Sequence, residues 1–159
     1  MNSENTEYIV RGIEHKNNGD FNKAIGEYNI AIEKNIADAD LYSARGHAYQ
    51  MLNEFEKAIE DCNKALQLDA SYVLAYVGLA NAYLGKKDYN SAISNYNEAI
   101  KLNPEEASAY ICRGVAYMEQ GAFDQAIVDI KKGMQINTNF TNQGNAILEM
   151  IQQRKNGAY

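Results

Sequence analysis

Apolar and polar positions along this chain recur with the period of an amphipathic helix. In "GDFNKAIGEYNIAI" at residues 19–32, apolar residues return every three or four positions behind a Gly-Asp turn. Matching segments begin at residues 53, 87 and 121, each 34 residues after the previous one. A second series of apolar segments lies between them. The pattern predicts first helices near 6–18, 40–52, 74–86 and 108–120, and second helices near 22–34, 56–67, 90–102 and 124–136.

Composition favours the same all-helical interpretation. Pro104 is the single proline, so long helical segments are not interrupted. Valine and threonine are sparse, whereas alanine, leucine, isoleucine, glutamate and lysine fill the periodic segments. The sequence therefore predicts an all-α protein.

Certain positions of the 34-residue unit keep one kind of side chain in all copies. When units are counted from Asn5, position 8 is small, position 20 is alanine, position 21 is isoleucine and position 27 is small. Positions 4 and 17 are aromatic. The small residues are Gly12, Gly46, Ala80, Gly114, Ala24, Ala58, Ala92, Ala126, Ala31, Ala65, Ala99 and Gly133. Small residues allow two helix axes to approach closely, and the rings fill the space around them.

This joint agreement resembles the tetratricopeptide repeat (TPR) family, whose unit is two antiparallel helices in 34 residues. The resemblance covers 136 of the 159 residues, as units 5–38, 39–72, 73–106 and 107–140. It implies a right-handed α-solenoid of four stacked helix-turn-helix units, because one unit alone cannot bury its apolar faces.

Both ends of the series predict caps. The segment 141–159 keeps the register and is interpreted as a capping helix over 142–155, followed by a tail. At positions 3 and 10, repeats two to four carry Leu41, Ala75, Ala109, Ala48, Ala82 and Ala116. Repeat one has Glu7 and Glu14 there, which predicts that no unit precedes it.

The net charge and the targeting signals bear on which classes of partner and which cell compartment are expected. A net charge of −6 argues against nucleic acid and anionic membranes. We find neither a transmembrane segment nor a signal peptide in the sequence. Cys62 and Cys112 form no disulfide framework, so we expect a cytoplasmic protein.

Candidate catalytic chemistry is sparse, and the sequence predicts neither an enzyme nor a cofactor. His15 and His47 have no accompanying cysteine or carboxylate cluster that would bind a metal. Cys62 takes a core position, whereas Cys112 is placed on the inner surface without a basic neighbour to activate it. Phosphate-binding loops and nucleophile motifs are missing.

One pair of positions changes together between repeats. Position 7 is Arg11, Arg45, Leu79 and Arg113, and position 23 is Glu27, Asp61, Asn95 and Asp129. Arginine and acid occur together in three repeats and are both lost in the third. A partly buried ion pair behaves this way, because losing one partner strands the other charge. We therefore predict structural ion pairs within repeats one, two and four.

The resemblance also implies a binding surface, since TPR proteins bind peptides along the concave face of their first helices. Position 5 is expected to face outward from the core, with His47 and Asn81 able to bond a peptide backbone. The predicted groove residues are Ile9, Ile13, Ser43, His47, Met51, Leu74, Val77, Asn81, Leu84, Ile111, Val115 and Met118. This apolar surface predicts an adaptor, scaffold or chaperone-like module that binds an apolar or amphipathic segment of another protein.

Two further comparisons bear on the partner. The co-chaperone branch of the family grips acidic tails through a clamp of lysine, arginine and asparagine at fixed positions. In the two possible registers this chain has Ile9, Ile13, Ala44, Leu74 and Gly78, or Ser43, His47, Gly78, Ser108 and Cys112, none of which is a clamp cation. The alternative partner is a second copy of the chain, docked through the Ile9/Val10/Ile13 edge.

Overall fold

The computed structural model describes the backbone of residues 3–34 and 38–157, with side chains from residue 7 onward. Residues 35–37 of the first predicted repeat and 158–159 of the predicted tail lie outside the described residues. Helices and turns, without any strand, make up this described part. The helices are α1 (Ser3–Asn17), α2 (Phe21–Glu33), α3 (Ala39–Met51), α4 (Phe55–Leu68), α5 (Val73–Gly85), α6 (Tyr89–Leu102), α7 (Ala107–Glu119), α8 (Phe123–Ile136), a short 3-10 helix (Thr138–Phe140) and α9 (Thr141–Lys155).

The predicted all-α fold is confirmed, and most helix boundaries lie within one residue of the predicted ones. α1 begins three residues earlier than predicted, at Ser3. α9 begins at Thr141 directly after the 3-10 helix. The sequence periodicity therefore located every helix of the described residues except the 3-10 turn.

The turn inside each of the four helix pairs contains one residue with a positive φ angle. Gly19, Asn53, Lys87 and Gly121, all at position 15 of the unit, have φ angles of +80°, +60°, +62° and +80°. This left-handed conformation ends the first helix and admits glycine without steric cost. Lysine at this position is strained, because its Cβ crowds the following carbonyl oxygen.

Exchanging the residues at this turn position is expected to change stability in opposite directions. Lys87→Gly is expected to raise the free energy of unfolding by about 0.5–1 kcal/mol, the left-handed penalty less the greater chain entropy of glycine. Gly121→Lys at the equivalent turn is expected to lower it by a similar amount. Urea titration of both variants checks this, and equal signs would contradict it.

Packing divides the chain into two units, Met1–Lys86 and Lys87–Tyr159. In the first unit, α1 packs on α2 and α3 on α4, while α2 contacts α3 and α4 contacts α5. Ala24, Ala31, Ala58 and Ala65 are at most 1% exposed, so the small positions do lie where helices meet. A Cβ on Gly46 would come within 3.3 Å of the Ala58 carbonyl oxygen, which shows how closely α3 approaches α4.

In the second unit, α6 packs on α7, α7 on α8, and α8 on α9. Its core consists of Ile111, Met118, Ala126, Ile130, Ile147 and Ile151. Close approaches again require glycine, since a Cβ on Gly133 would lie 2.7 Å from an Ile111 side-chain carbon. On α9, a Cβ on Gly144 would meet the flexible Met134 side chain, which packs against this helix.

The positions that distinguish repeat one from its successors differ in burial. Leu41 is 2% exposed, and the five alanines at positions 3 and 10 of repeats two to four are fully buried. Glu7 and Glu14 are exposed. Apolar residues at these two positions therefore coincide with packed helix faces.

Candidate functional site

A groove of about 570 Å³ lies in the first unit, where side chains of α1, α3 and α5 face a common space. Its volume falls in the range of ligand sites in proteins. We call it the first-helix groove. Its lining residues are Ile9, Ile13, Lys16, Tyr28, Asp38, Asp40, Leu41, Ser43, Ala44, His47, Gln50, Tyr72, Leu74, Val77, Gly78 and Asn81.

Seven of the twelve predicted groove residues line this space together. Four are apolar and three are polar: Ile9, Ile13, Leu74 and Val77, with Ser43, His47 and Asn81. Leu74 is 52% exposed and Ile13 is 41% exposed, so both present apolar surface to solvent. Met51 and Leu84 do not line the groove, and Met51 is an exposed surface residue at 51%.

The expectation that position 5 faces outward is wrong at Val77. Val77 is only 9% exposed to solvent and lies in the floor of the groove. The reason is that α3 and α5 contact each other, so a side chain between them is covered. Leu74, three residues earlier, stands at the rim and remains accessible.

The predicted groove residues of repeat four are also not free surface. Ile111 is 1% exposed and Met118 is 4% exposed, and Val115 packs against the same cluster. α9 contributes Ile147 and Ile151 to this cluster. These first-helix positions therefore belong to the core of the second unit, because the capping helix packs beside them.

The ends of the first-helix groove differ in charge. Asp38 and Asp40 lie at the start of α3, and Asp38 accepts a hydrogen bond from the Leu41 amide at 2.8 Å. The Tyr72 hydroxyl donates to Asp40. Burial and this carboxylate raise the pKa of Tyr72 well above its usual range, so it remains a donor.

Lys16 and His47 line the groove near the ends of α1 and α3. Partial loss of hydration, and then the charge of Lys16, lower the pKa of His47. His47 is therefore a neutral hydrogen-bonding group at pH 7. The groove thus combines an apolar centre with an acidic end and a weakly basic end.

Tyr28 lines the groove from α2 and is fully buried. Its hydroxyl is the one buried side-chain polar atom among the described side chains that has no hydrogen-bond partner. Desolvation raises the pKa of Tyr28. The repeat pattern did not predict an unpaired hydroxyl at this position.

The predicted ion pairs are present inside their own repeats. Arg45 binds Asp61 through two hydrogen bonds of 2.6 and 2.8 Å, and Asp61 is 3% exposed. Arg113 binds Asp129 in the same two-bond geometry, at 2.7 and 2.8 Å. Arg11 Nη2 lies 3.0 Å from Glu27 in a more exposed pair.

The same arginines also reach the preceding repeat, which sequence analysis missed. Arg45 donates to Asn29 Oδ1 at 2.7 Å, and Arg113 donates to Asn97 Oδ1 at 2.6 Å. Both asparagines hold position 25 of their units. Each arginine therefore joins two helix pairs besides neutralising its own carboxylate.

The third repeat replaces this arrangement with an apolar one. Leu79 is 5% exposed and packs in the core cluster with Cys62 and Ala75. Asn95 donates from its side chain to the Ser91 carbonyl at 2.8 Å. Joint replacement of arginine and acid therefore leaves neither a buried, unpaired charge nor a side-chain amide without a hydrogen bond.

Both cysteines are poorly suited to nucleophilic chemistry. Cys62 is 1% exposed, and burial raises its pKa to about 12. Burial also raises the pKa of Cys112, whose thiol is hydrogen-bonded with Tyr96. The Cys112 residue is partly exposed, so its place on the inner surface stays a prediction.

Among the described residues, no three His, Cys, Asp or Glu side chains come together in a way that could hold a metal ion. In the same residues, each helix is too short or too polar to cross a membrane.

Comparison with known proteins agrees with this architecture. A model described as tetratricopeptide repeat matches residues 39–72, and one described as TPR repeat matches residues 86–121. A search of curated proteins found no match.

Several solved structures share the fold. A thermophilic TPR protein of Thermus thermophilus has a TM-score of 0.85 at 18% identity, over 95% of this chain and 82% of that one. MamA has a TM-score of 0.76 at 26% identity, over 91% and 84%. The first TPR of Spaghetti (RPAP3), bound to the HSP90 peptide SRMEEVD, has a TM-score of 0.68 at 24% identity, over 73% and 91%.

These matches, with the paired helices and the small-residue contacts, define the fold class as an all-α helical-repeat solenoid. Within that class, the chain contains tetratricopeptide repeats, which the family models match at residues 39–72 and 86–121. Its fold is one that serves protein–protein interaction.

Proposed function

We propose that this protein is a non-catalytic adaptor that binds an apolar or amphipathic segment of another protein in the first-helix groove. The observation that carries the proposal is the groove itself, with partly exposed Ile13 and Leu74 beside the buried floor at Val77. Exposed apolar side chains that border a concave site are typical of interaction surfaces.

A relative of the same fold binds a peptide, the HSP90 segment SRMEEVD. That peptide carries acidic residues, whereas this groove has Asp38 and Asp40 at one end and Lys16 at the other. Positions 5 and 9 of the first repeat are Ile9 and Ile13, where the co-chaperone clamp has lysine and asparagine. The present groove is therefore suited to an apolar segment in place of an acidic tail.

An energy estimate gives the expected strength of binding. Four partner side chains buried in the groove would contribute roughly 1.5–3 kcal/mol each. Association and ordering cost about 4–15 kcal/mol, so the net free energy is small. The most favourable difference, about 8 kcal/mol, corresponds to a Kd on the order of micromolar, which we expect as the tightest binding.

The proposal is tested with a fluorescent library of blocked heptapeptides that carry leucine, isoleucine, valine or phenylalanine at three central positions. The tightest member becomes the probe. Leu74→Glu is expected to weaken its binding at least a hundredfold, because a bound apolar side chain would desolvate the new carboxylate. The matched control is Leu68→Glu, since Leu68 is 56% exposed and lies outside the groove.

The salt dependence of binding distinguishes an apolar groove from a charged binding surface. Binding of the probe is expected to change less than threefold between low and near-molar salt, because screening acts on charges. A library without any binder would contradict the proposal. So would binding that collapses with salt while Leu74→Glu is tolerated, which would place the partner on a charged surface outside the groove.

Self-association is the second candidate function, favoured by the 51% exposure of Val10 next to the groove residues Ile9 and Ile13. Sedimentation at several protein concentrations separates the two functions. A mass that doubles with concentration and returns to the monomer in Val10→Lys would favour a homodimer. A constant monomer mass leaves the groove open for another protein.

A further inference from the structure

The floor of the first-helix groove contains an unpaired hydrogen-bonding group. Tyr28 is fully buried, lines the groove, and has a hydroxyl without a partner in the described part of the chain. Ile9 and Ala44 line the same floor and pack against the core cluster that contains Tyr28. A buried hydroxyl without a partner loses its hydration and gains nothing in return.

Comparison of equivalent positions in the repeats shows which hydrogen-bond partner the Tyr28 hydroxyl lacks. Position 24 of one unit contacts position 6 of the next: a Cβ on Gly78 would lie 2.6 Å from the Cys62 sulfur. In the second unit the same two positions are Tyr96 and Cys112, which are hydrogen-bonded. At the first pair they are Tyr28 and Ala44. Alanine has no polar side-chain atom to take the place of the thiol, and the Tyr28 hydroxyl has no hydrogen-bond partner among the described residues.

We propose that Tyr28 is a specificity-determining hydrogen-bond donor of the groove, which donates to a backbone carbonyl of the bound segment. This inference rests on the proposed function. The occupant is an extended peptide whose apolar side chains lie against Ile13 and Leu74, and one of its carbonyls faces Tyr28. A phenol is a good donor, and a peptide offers one carbonyl per residue.

Reaching the hydroxyl requires only local adjustment. Tyr28, Ile9 and Ala44 all line the groove, and the partly buried Ile9 and Ala44 pack against the core cluster that contains Tyr28. Side-chain rotamer changes of this kind are common when a partner binds. The groove thus selects an apolar segment that also carries a hydrogen-bond acceptor, and discriminates against a purely hydrocarbon surface.

The test measures stability and affinity in the same variants. Tyr28→Phe is expected to keep or raise the urea midpoint of the free protein, since it removes an unpaired buried hydroxyl. It is expected to weaken binding of the selected heptapeptide about tenfold, or about 1.4 kcal/mol. The matched control is Tyr96→Phe, which loses a hydroxyl that is paired with Cys112 and is expected to lower the midpoint without changing affinity.

An ester scan of the probe identifies the acceptor. Each peptide bond of the heptapeptide is replaced in turn by an ester, whose carbonyl is a weaker acceptor. One position is expected to lose affinity in the wild-type protein and to lose much less in Tyr28→Phe, because both changes remove the same hydrogen bond.

The outcomes separate the two proposals. If Leu74→Glu abolishes binding but Tyr28→Phe binds like wild type, the groove function stands and this inference is overturned. A lower urea midpoint for Tyr28→Phe also overturns it, because the hydroxyl is then satisfied in the free protein, for instance by water. A library without a binder overturns both.

Discussion

Replacing Arg45 with leucine is expected to lower the free energy of unfolding by about 3–5 kcal/mol, because Asp61 then keeps a buried, unpaired charge. Asp61 is 3% exposed, and Arg45 supplies the two hydrogen bonds to its oxygens. Burial raises the pKa of Asp61 even with Arg45 present, so desolvation already outweighs the attraction of its partner.

The double variant Arg45→Leu with Asp61→Asn is expected to recover most of this loss. It copies the natural pair of the third repeat, where Leu79 is buried and the Asn95 amide bonds to a backbone carbonyl. A residual cost of about 0.5–1.5 kcal/mol is expected from the lost hydrogen bond to Asn29 in the preceding repeat.

Urea unfolding followed by circular dichroism measures both variants, with Arg11→Leu as the matched control. The Arg11 side chain is 39% exposed and that of Glu27 is 20% exposed, so this pair is screened by water. A cost below about 1 kcal/mol is expected there. A double variant as unstable as Arg45→Leu alone would contradict the account of paired replacement.

Deleting residues 141–159 is the second change with a large expected effect. α9 places Ile147 and Ile151 in the core of the second unit, and burial of each contributes about 1.5–3 kcal/mol. Arg154 also binds Glu119 at 3.0 Å. Truncation removes these contacts and uncovers Ile111, Met118 and Ile130, so we expect aggregation and strong binding of a hydrophobic dye.

Point variants of α9 distinguish the effect of its core packing from the effect of shortening the chain. Ile151→Ala is expected to lower the free energy of unfolding by about 2–5 kcal/mol, since Ile151 is fully buried. The adjacent Met150 is 42% exposed, and Met150→Ala is expected to cost less than about 0.5 kcal/mol. A truncated protein as soluble and stable as the full chain would show that α9 contributes nothing to the core.

The helices could be located from the sequence because small residues recur at the positions where two helices contact each other. Ala24 and Ala58 recur 34 residues apart, and each is buried where a second helix meets its partner. The co-variation of Arg45 with Asp61 likewise revealed a contact that the structure contains. Such signals depend on residue type alone.

The accessibility of first-helix side chains could not be predicted in the same way. Leu74 and Val77 are both apolar and three residues apart, yet one is at the rim and the other in the floor. Ile111 holds the same repeat position as Val77, but it is buried in the core that includes residues of α9. Exposure depends on distances between helices, which a repeat pattern does not specify.

Two missed features did leave signals in the sequence. Asparagine recurs at position 25 as Asn29, Asn63 and Asn97, and two of these three bind an arginine of the next repeat. Position 6 changes from Ala44 to Cys112 opposite two equivalent tyrosines, which explains why only Tyr96 has a partner there. Pairwise comparison of positions between adjacent repeats would have identified both.

The central claim is that the first-helix groove binds an apolar peptide segment. Amide and methyl NMR spectra recorded during titration with the selected heptapeptide test it most directly, because they report the contacted residues. We expect the largest shift changes at Ile13, His47, Leu74 and Val77, with little change at Leu68 or Val128. Largest changes at Val128 and Arg113, with an unperturbed groove, would contradict it.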